Sequence, residues 1–379
     1  MKIELTPEQE KDRAEFRAFV VAEIIPHAGR FDREGCVPRE LISKIAARGY
    51  LGALLPRTDA EKSMDVISFG LLNEEFGRGC SSLRSLLTVH NMVAHAVLRW
   101  GSKTQKEHWL SRLRTGEAIA AFCLTEPGTG SDAKSIETTA TLSGDVYLLN
   151  GRKKWITFGQ IADLFLVFAQ CEGKAAAFLV EKESPGLSIK PIEGMLGLRA
   201  SMLAELQLND CRVPKENLLS RAGFGFSHVA ASALDYGRYS VAWGCVGIAQ
   251  ACVDASLSYA EERKQFGARL KDHQLIRRLL TNMITNLKAA RLLCLQAGYL
   301  KEIGDPRSIM ETSIAKYFAS TTASQAANDA VQIHGANGCS GDFPVERFLR
   351  DARIMEIIEG STQMQQLTIA EYGYQEYRA

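Results

Sequence analysis

Surplus charge is missing from this chain: 45 lysines and arginines against 44 aspartates and glutamates leave a net charge of +1 over 379 residues. Nothing therefore builds the basic field that nucleic acid or an anionic membrane surface requires. No apolar run reaches the length of a bilayer span, and the opening Met1-Lys2-Ile3-Glu4-Leu5 has no apolar signal segment. The nine cysteines are odd in number and include no C-x-x-C, which fits free thiols in a reducing cytoplasm. The seven histidines are scattered, so no metal site is expected. Three nucleotide and nucleophile signatures are absent too: G-x-G-x-x-G after a strand, G-x-x-x-x-G-K-[ST] and G-x-S-x-G. A Rossmann site, a P-loop and a serine nucleophile elbow all lose their support.

What is present is organised in three parts. Thr6-Pro7-Glu8-Gln9 starts a helix with Pro7 in its first turn, and the amphipathic pattern runs to about Phe31. Helical period recurs over 66–80, 82–100 and 103–116, so residues 1–117 read as a helical domain. From Ala118 short apolar segments (118–125, 145–149, 153–157, 162–169, 175–180 and 203–208) are punctuated by Gly and Asn. That spacing predicts a small antiparallel β domain over 118–225, with Asn150-Gly151 as its tightest hairpin turn. Helical period returns near Phe226 and lasts to the end, giving a C-terminal bundle over 226–379. The expected class is α+β, mostly α.

The chemistry gathers at few places. Glu359 follows an apolar run (Ile354, Met355, Ile357, Ile358) and precedes Gly360 and a helix start, where Thr362 and Gln365 have capping-box spacing. An ordinary glutamate at a helix end is a solvated surface residue. One held against apolar side chains is poorly solvated, its pKa rises, and it becomes a useful base near neutral pH. The turn at 126–132 carries two glycines and Ser131 at a strand end, which lets backbone N–H groups approach a planar or anionic ligand. Thr125 precedes it, and Trp155-Ile156-Thr157 offers an aromatic face beside a second hydroxyl. Each feature alone is common, but together they suit a flat heteroaromatic ring.

Five motifs in order, Phe122-Cys-Leu-Thr-Glu-Pro-Gly-Thr-Gly-Ser-Asp132, Lys154-Trp-Ile-Thr157, Arg263-Lys-Gln-Phe-Gly267, Gln332-Ile-His-Gly-Ala-Asn-Gly338 and Arg350-Asp-Ala-Arg353 with Glu359-Gly360, resemble the acyl-CoA dehydrogenase family over essentially the whole chain. The resemblance implies a helical–β–helical fold with FAD between the β domain and the C-terminal bundle. It implies FAD contacts from Phe122, Leu124, Thr125, Gly130, Ser131, Trp155 and Thr157, and from Ser361 and Gln363. Arg263, Phe266, Gln274, Gln332, Gly335 and Ala336 match positions that reach a neighbouring subunit's cofactor, which implies a homodimer or homotetramer. Ser131, Asp235, Arg238 and Gly360 match substrate contacts. Glu359 matches the catalytic base that takes the α-proton while flavin N5 accepts the β-hydride. Some branches keep that base at the position of Gly237, which leaves Glu359 as the candidate here.

Ile358 stands where straight-chain enzymes often have Tyr, Ala336 replaces a glycine, and the loop at 57–64 lacks the usual Tyr-Gly-Gly. The segment Tyr236-Gly-Arg-Tyr-Ser-Val-Ala-Trp-Gly-Cys-Val-Gly-Ile248, with Met355-Glu-Ile-Ile-Glu-Gly360, resembles the branch acting on acyl-carrier-protein thioesters in hydroxymalonyl, methoxymalonyl or aminomalonyl extender-unit pathways of polyketide biosynthesis. The expected activity is thus α,β-dehydrogenation of a short polar acyl group on a carrier protein. A short- or branched-chain acyl-CoA dehydrogenase of catabolism is the alternative within the family, and a non-catalytic flavin-binding protein the alternative outside it.

Overall fold

The computed structural model describes residues 4–56 and 63–376; residues 57–62 of the loop after Pro56 lie outside them. The N-terminal layer is α1 (Pro7–Phe19), α2 (Ala28–Glu34), α3 (Arg39–Ala47), α4 (Val66–Gly79), α5 (Ser81–Trp100) and α6 (Lys103–Thr115). Thr6 and Gln9 close a reciprocal capping box at the start of α1. The expected single helix to Phe31 is instead broken: a wide turn (Val20–Ile24) and a 3-10 turn (Ile25–His27) separate α1 from α2. Pro26 lacks the N–H that an unbroken helix needs and its ring crowds the preceding turn.

The middle region is an eight-stranded sheet of β1 (Ala120–Cys123), β2 (Thr139–Ser143), β3 (Val146–Ile156), β4 (Leu164–Cys171), β5 (Lys174–Glu181), β6 (Leu187–Pro191), β7 (Ala204–Pro214) and β8 (Leu218–Leu219). It is mixed rather than purely antiparallel, since β1 runs parallel to β4 and β2 meets β4 in parallel. Turn punctuation marks strand ends but carries no information on which strands pair. The hairpin turn between β2 and β3 is Gly144-Asp145, not Asn150-Gly151. Gly151 lies within β3 at a register shift against β7, and a Cβ there would come 2.5 Å from Thr138 Oγ1. Its glycine serves a close approach inside the sheet.

The C-terminal bundle holds α7 (Ala231–Glu262), α8 (Gln274–Glu302), α9 (Ser308–His334), α10 (Val345–Met355) and α11 (Thr362–Glu376), with a short β9–β10 hairpin (Lys264–Gln265, Ala268–Arg269) after α7. Counted with the wide turn before it, α7 is long and apolar enough to cross a membrane, which the sequence reading did not register. Its window is 78% buried, as in the core helix of a bundle. Trp243, Tyr239 and Val246 are fully buried there, among a core that also takes in α4, α8 and α9.

Three charged side chains fasten α10 to the rest. Arg350 pairs with Asp32 of α2 at 2.6 Å and with Glu346 at 2.8 Å, and Asp351 accepts the Leu198 N–H at 2.7 Å. The end of α10, which carries the chain to Glu359, is therefore tied to both the helical layer and the sheet.

Candidate active site

Three small residues of α7 set the geometry. Gly237, Ser240 and Gly244 share one face, and α5 crosses it with Met92, Thr88 and Arg84, so the two helices run antiparallel. A Cβ at position 237 would come 2.6 Å from Glu359 Oε2 and 2.8 Å from Met92 Sδ. Only glycine leaves room for that carboxylate. A Cβ at 244 would likewise fall 2.2 Å from Arg84 Cδ.

Glu359 reaches this place from a left-handed turn: its φ is +54° and that of Gly360 is +92°. Non-glycine residues rarely adopt such a φ, and those that do cluster at functional sites. Two side chains clamp the turn. Lys316 Nζ donates to the Gly360 carbonyl at 2.7 Å, and Gln365 Nε2 donates to the carbonyls of Glu359 and Gly360 at 3.2 and 3.3 Å. Gln365 is thus no capping-box partner of Thr362. Ser361 Oγ accepts at the start of α11, and Thr362 closes the loop by donating to the Glu356 carbonyl. The Gln365 side chain turns back over the loop because the left-handed backbone at 359–360 brings those carbonyls within its reach.

Burial raises the pKa of Glu359, and the cations Arg238, Arg84 and Lys316 act against that rise. Its Oε2 is buried with no hydrogen-bond partner among the described residues. A carboxylate so placed is poorly solvated and basic. Burial also lowers the Lys316 ammonium to about 8.

Arg84 is wholly buried, and among the described residues no carboxylate forms an ion pair with it. Its guanidinium donates to Thr88 Oγ1 at 2.7 Å and Ser240 Oγ at 3.4 Å, faces Met355 Sδ at 3.7 Å, and leaves Nε without a partner. Thr88 and Ser240 are 2.5 Å apart, and Ser240 donates to Asn73. Arg84 was not among the expected residues; it stands among serines, histidines and an asparagine on α5, so its sequence neighbours gave no signal of its burial.

On the sheet side, the 126–132 turn is pinned from below. Glu126 accepts from the N–H groups of Glu137 and Thr138, from Thr138 Oγ1 and from Lys153 Nζ at 2.6 Å, while Lys153 also donates to the Leu124 carbonyl. Burial opposes charge on Glu126, but these donors hold its pKa below the usual value. Neither residue was expected to matter; a charged pair buried under a glycine-rich turn is invisible to local spacing. Above it, Gly130 and Ser131 are exposed, and nothing lies within 4 Å of a Cβ at Gly130. The Thr125 carbonyl accepts the Lys154 N–H at 2.9 Å, which sets the turn beside Trp155.

Trp155 lies on β3, as expected, but not in regular strand geometry. At the β-bulge between Lys153 and Ile156 its φ is +63°, which turns the indole outward and leaves it 47% exposed. Thr157 is half-buried just beyond, Leu124 is buried, and Phe122 packs against Phe168 with ring centroids 5.0 Å apart. An exposed indole next to an open glycine-serine shelf fits a flat ring such as the isoalloxazine of FAD.

The remaining expected residues fall into two places. Asp235 pairs with Lys301, and Arg238 Nε is buried without a partner, 4.0 Å from where a Cβ at Gly360 would sit. Ser361 and Gln363 follow at the start of α11. Arg263, Phe266, Gln274, Gln332, Gly335 and Ala336 are all exposed, Phe266 to 98%. Tyr259 stacks on His334 and accepts from Asn337, which brings the two stretches carrying them together.

The geometry matches known proteins. Models of the acyl-CoA dehydrogenase N-terminal, middle and C-terminal domains match residues 6–117, 121–211 and 223–373. The mitochondrial short-chain specific acyl-CoA dehydrogenase of Rattus norvegicus is 38% identical over 383 aligned residues, covering 100% of this chain and 92% of that protein. FkbI, solved for biosynthesis of the methoxymalonyl extender unit of the polyketide FK520, is 33% identical with a TM-score of 0.87 over 96% of this chain and 99% of its own. The prolyl acyl carrier protein oxidase AnaB is 29% identical with a TM-score of 0.92 over 97% and 99%. With a glutamate whose carboxylate is buried in the helical bundle and an open glycine-serine shelf on the sheet, the chain belongs to the acyl-CoA dehydrogenase family, FAD-dependent oxidoreductases acting on CH–CH bonds.

Proposed function

We propose that the protein removes two hydrogens from the α and β carbons of a short polar acyl thioester carried on an acyl carrier protein. The observation that supports the polar substrate is the polar cluster packed between α5 and α7 beside Glu359. There Ser240, Thr88 and the buried Arg84 bond to one another in place of aliphatic packing. A buried guanidinium with no ion-pair contact, offset only by the more distant Glu359 and Asp351 carboxylates, still carries a desolvation cost. A substrate oxygen is the kind of group that offsets such a cost.

Glu359 takes the α-proton, and its raised pKa suits that task. Bound FAD supplies the hydride acceptor. Phe122, Leu124, Thr125, Gly130, Ser131, Trp155, Thr157, Ser361 and Gln363 hold the cofactor, while Ser131, Asp235, Arg238 and Gly360 orient the thioester. Lys316 and Gln365 keep the Glu359–Gly360 peptide in its left-handed turn, so the base does not drift between turnovers. A glyceryl group losing its α-proton and a β-hydride yields an enol that tautomerises to the aldehyde, with a net loss of two hydrogens. The exposed residues at 263–274 and 332–336 fit a homo-oligomer in which each copy completes its neighbour's cofactor site. We place the protein in the cytoplasm, in extender-unit biosynthesis.

A catabolic acyl-CoA substrate is the second reading, favoured by the 38% identity to the rat enzyme. Intact-mass assay of matched carrier-protein and CoA thioesters, glyceryl and butyryl, separates the two. The proposal expects loss of two hydrogens from the glyceryl carrier thioester; conversion of butyryl-CoA alone sinks it.

A further inference from the structure

The surface where the end of α5, the segment after the 126–132 turn and the segment before α7 come together carries three cations without an ion pair among the described residues. Arg99 at the end of α5, Lys134 just after the flavin turn and Arg221 just before the wide turn Gly225–Ala230 are all exposed, and none forms an ion pair among the described residues. Other cations of the chain do find acids, as Arg112 does with Glu117 and Arg152 with Glu205, but what sets these three apart is the aromatic cluster they share. Asp132 and Glu137, the acids nearest Lys134 in sequence, are paired with none of the three.

Each cation rests instead on an aromatic ring. Arg221 lies 3.9 Å from the Phe224 ring centroid, Arg99 5.8 Å from that of Trp100, and Lys134 5.9 Å from that of Phe226. The rings join one another: His228 stacks on Phe224 at 4.0 Å and meets Trp100 edge-on at 5.3 Å. Trp100 in turn donates to Ser232 of α7. A cation laid along a ring has part of its rotamer freedom already removed, so less is lost when a partner's carboxylate arrives.

This patch leads inward to the site. From Arg99, α5 passes His95, whose ring lies 4.5 Å from Tyr236, to Met92 at Gly237 and Glu359. Seven residues of helix separate Arg99 from Met92, about 10 Å of rise. An extended phosphopantetheine arm covers that span. Lys134 against Phe226 also shows that the Ser131 turn and the start of α7, the two sides expected to flank the arm, meet at this surface.

We propose that Arg99, Lys134 and Arg221 form the docking face for an acidic acyl carrier protein, which delivers its phosphopantetheine arm past Tyr236 to Glu359. This rests on the carrier-protein reading above. The cations come from three separate elements, a spread that suits a row of carboxylates on a helix better than one phosphate group. Complementary charge at a rim of this kind governs encounter and salt sensitivity.

The test uses the FAD-loaded protein, a fluorescently labelled acidic acyl carrier protein in its phosphopantetheine form, and the R99E/K134E/R221E variant. Anisotropy should show binding that weakens as salt rises, and the variant should bind at least about tenfold more weakly. Its turnover of glyceryl- and butyryl-pantetheine should stay at the wild-type level. Equal affinity for both proteins, or no carrier binding by the wild type, overturns the docking face, and intact pantetheine turnover then leaves the dehydrogenase reading standing. Carrier binding without turnover of any thioester does the reverse. Loss confined to CoA thioesters would assign the cations to a nucleotide and also overturn the proposal.

Discussion

The Glu359 carboxylate lies against Gly237 so closely that a single methyl group at 237 would reach within 2.6 Å of Oε2. Position 237 and the Glu359 carboxylate therefore face the same point, and the glycine is a steric requirement of the glutamate. Gly237→Ala should push the carboxylate and Met92 aside. Overpacking of this kind costs about 1–3 kcal/mol, and the expected outcome is a lowered Tm with a fall in flavin reduction larger than the stability loss explains. Rapid mixing beside thermal unfolding measures both; a variant with wild-type reduction would mean that the carboxylate has room the structure does not show.

The pH dependence has a definite sign. Burial raises the Glu359 pKa, so flavin reduction should climb as pH rises through a midpoint above the ordinary carboxylate range. Arg84→Met removes a cation that favours the charged form, and the limb should move to higher pH. A group with a raised folded-state pKa contributes stability below its unfolded pKa and loses it as pH rises through the folded one. Glu359→Gln should therefore gain in Tm relative to wild type at alkaline pH, with the gain fading in acid. A Tm difference independent of pH would contradict this.

Lys316→Met leaves the Gly360 carbonyl with only the longer 3.3 Å contact from Gln365 Nε2 in place of its 2.7 Å partner. Loss of one such hydrogen bond from a charged donor costs about 1.5–3 kcal/mol. Reduction should slow in the variant, and Lys316→Arg should restore part of it, since the donor returns. Equal rates in all three proteins would reduce Lys316 to a bystander.

Breaking the buried Glu126–Lys153 pair should loosen the flavin shelf. Removing one partner of such a pair costs about 3–5 kcal/mol, because the other is left buried and uncompensated. Lys153→Met is expected to lower Tm and to lose FAD on gel filtration while the wild type keeps it. Retention equal to wild type would show that the turn holds its shape without the pair.

Much of this was legible in the residues. Thr6-Pro7 marked a helix start and glycines marked strand ends, local signals that local chemistry decides. The raised pKa of Glu359 was anticipated, but its burial comes from Gly237 and Met92 on distant helices, while Ile357 of the neighbouring apolar run is exposed. The features that were not legible depend on unusual backbone or join separate segments. Gln365 turns back on the left-handed Glu359, Gly151 makes room for Thr138, Arg84 bonds Ser240, and β1 lies parallel to β4. Trp155 shows the limit well: an aromatic in a strand pattern is expected to alternate with its neighbours, but a bulge and a left-handed φ turn it outward.

The central claim is that Glu359 is the base, and single-turnover reduction of bound FAD in Glu359→Gln tests it most directly. Glutamine keeps the size and hydrogen-bonding capacity of the side chain and removes the base. Among the described residues no second carboxylate lies at the Gly237 face. The account predicts normal FAD binding and a rate of flavin bleaching by the glyceryl thioester reduced by about 10²–10⁴-fold. Bleaching at the wild-type rate would contradict it and make Glu359 a structural residue.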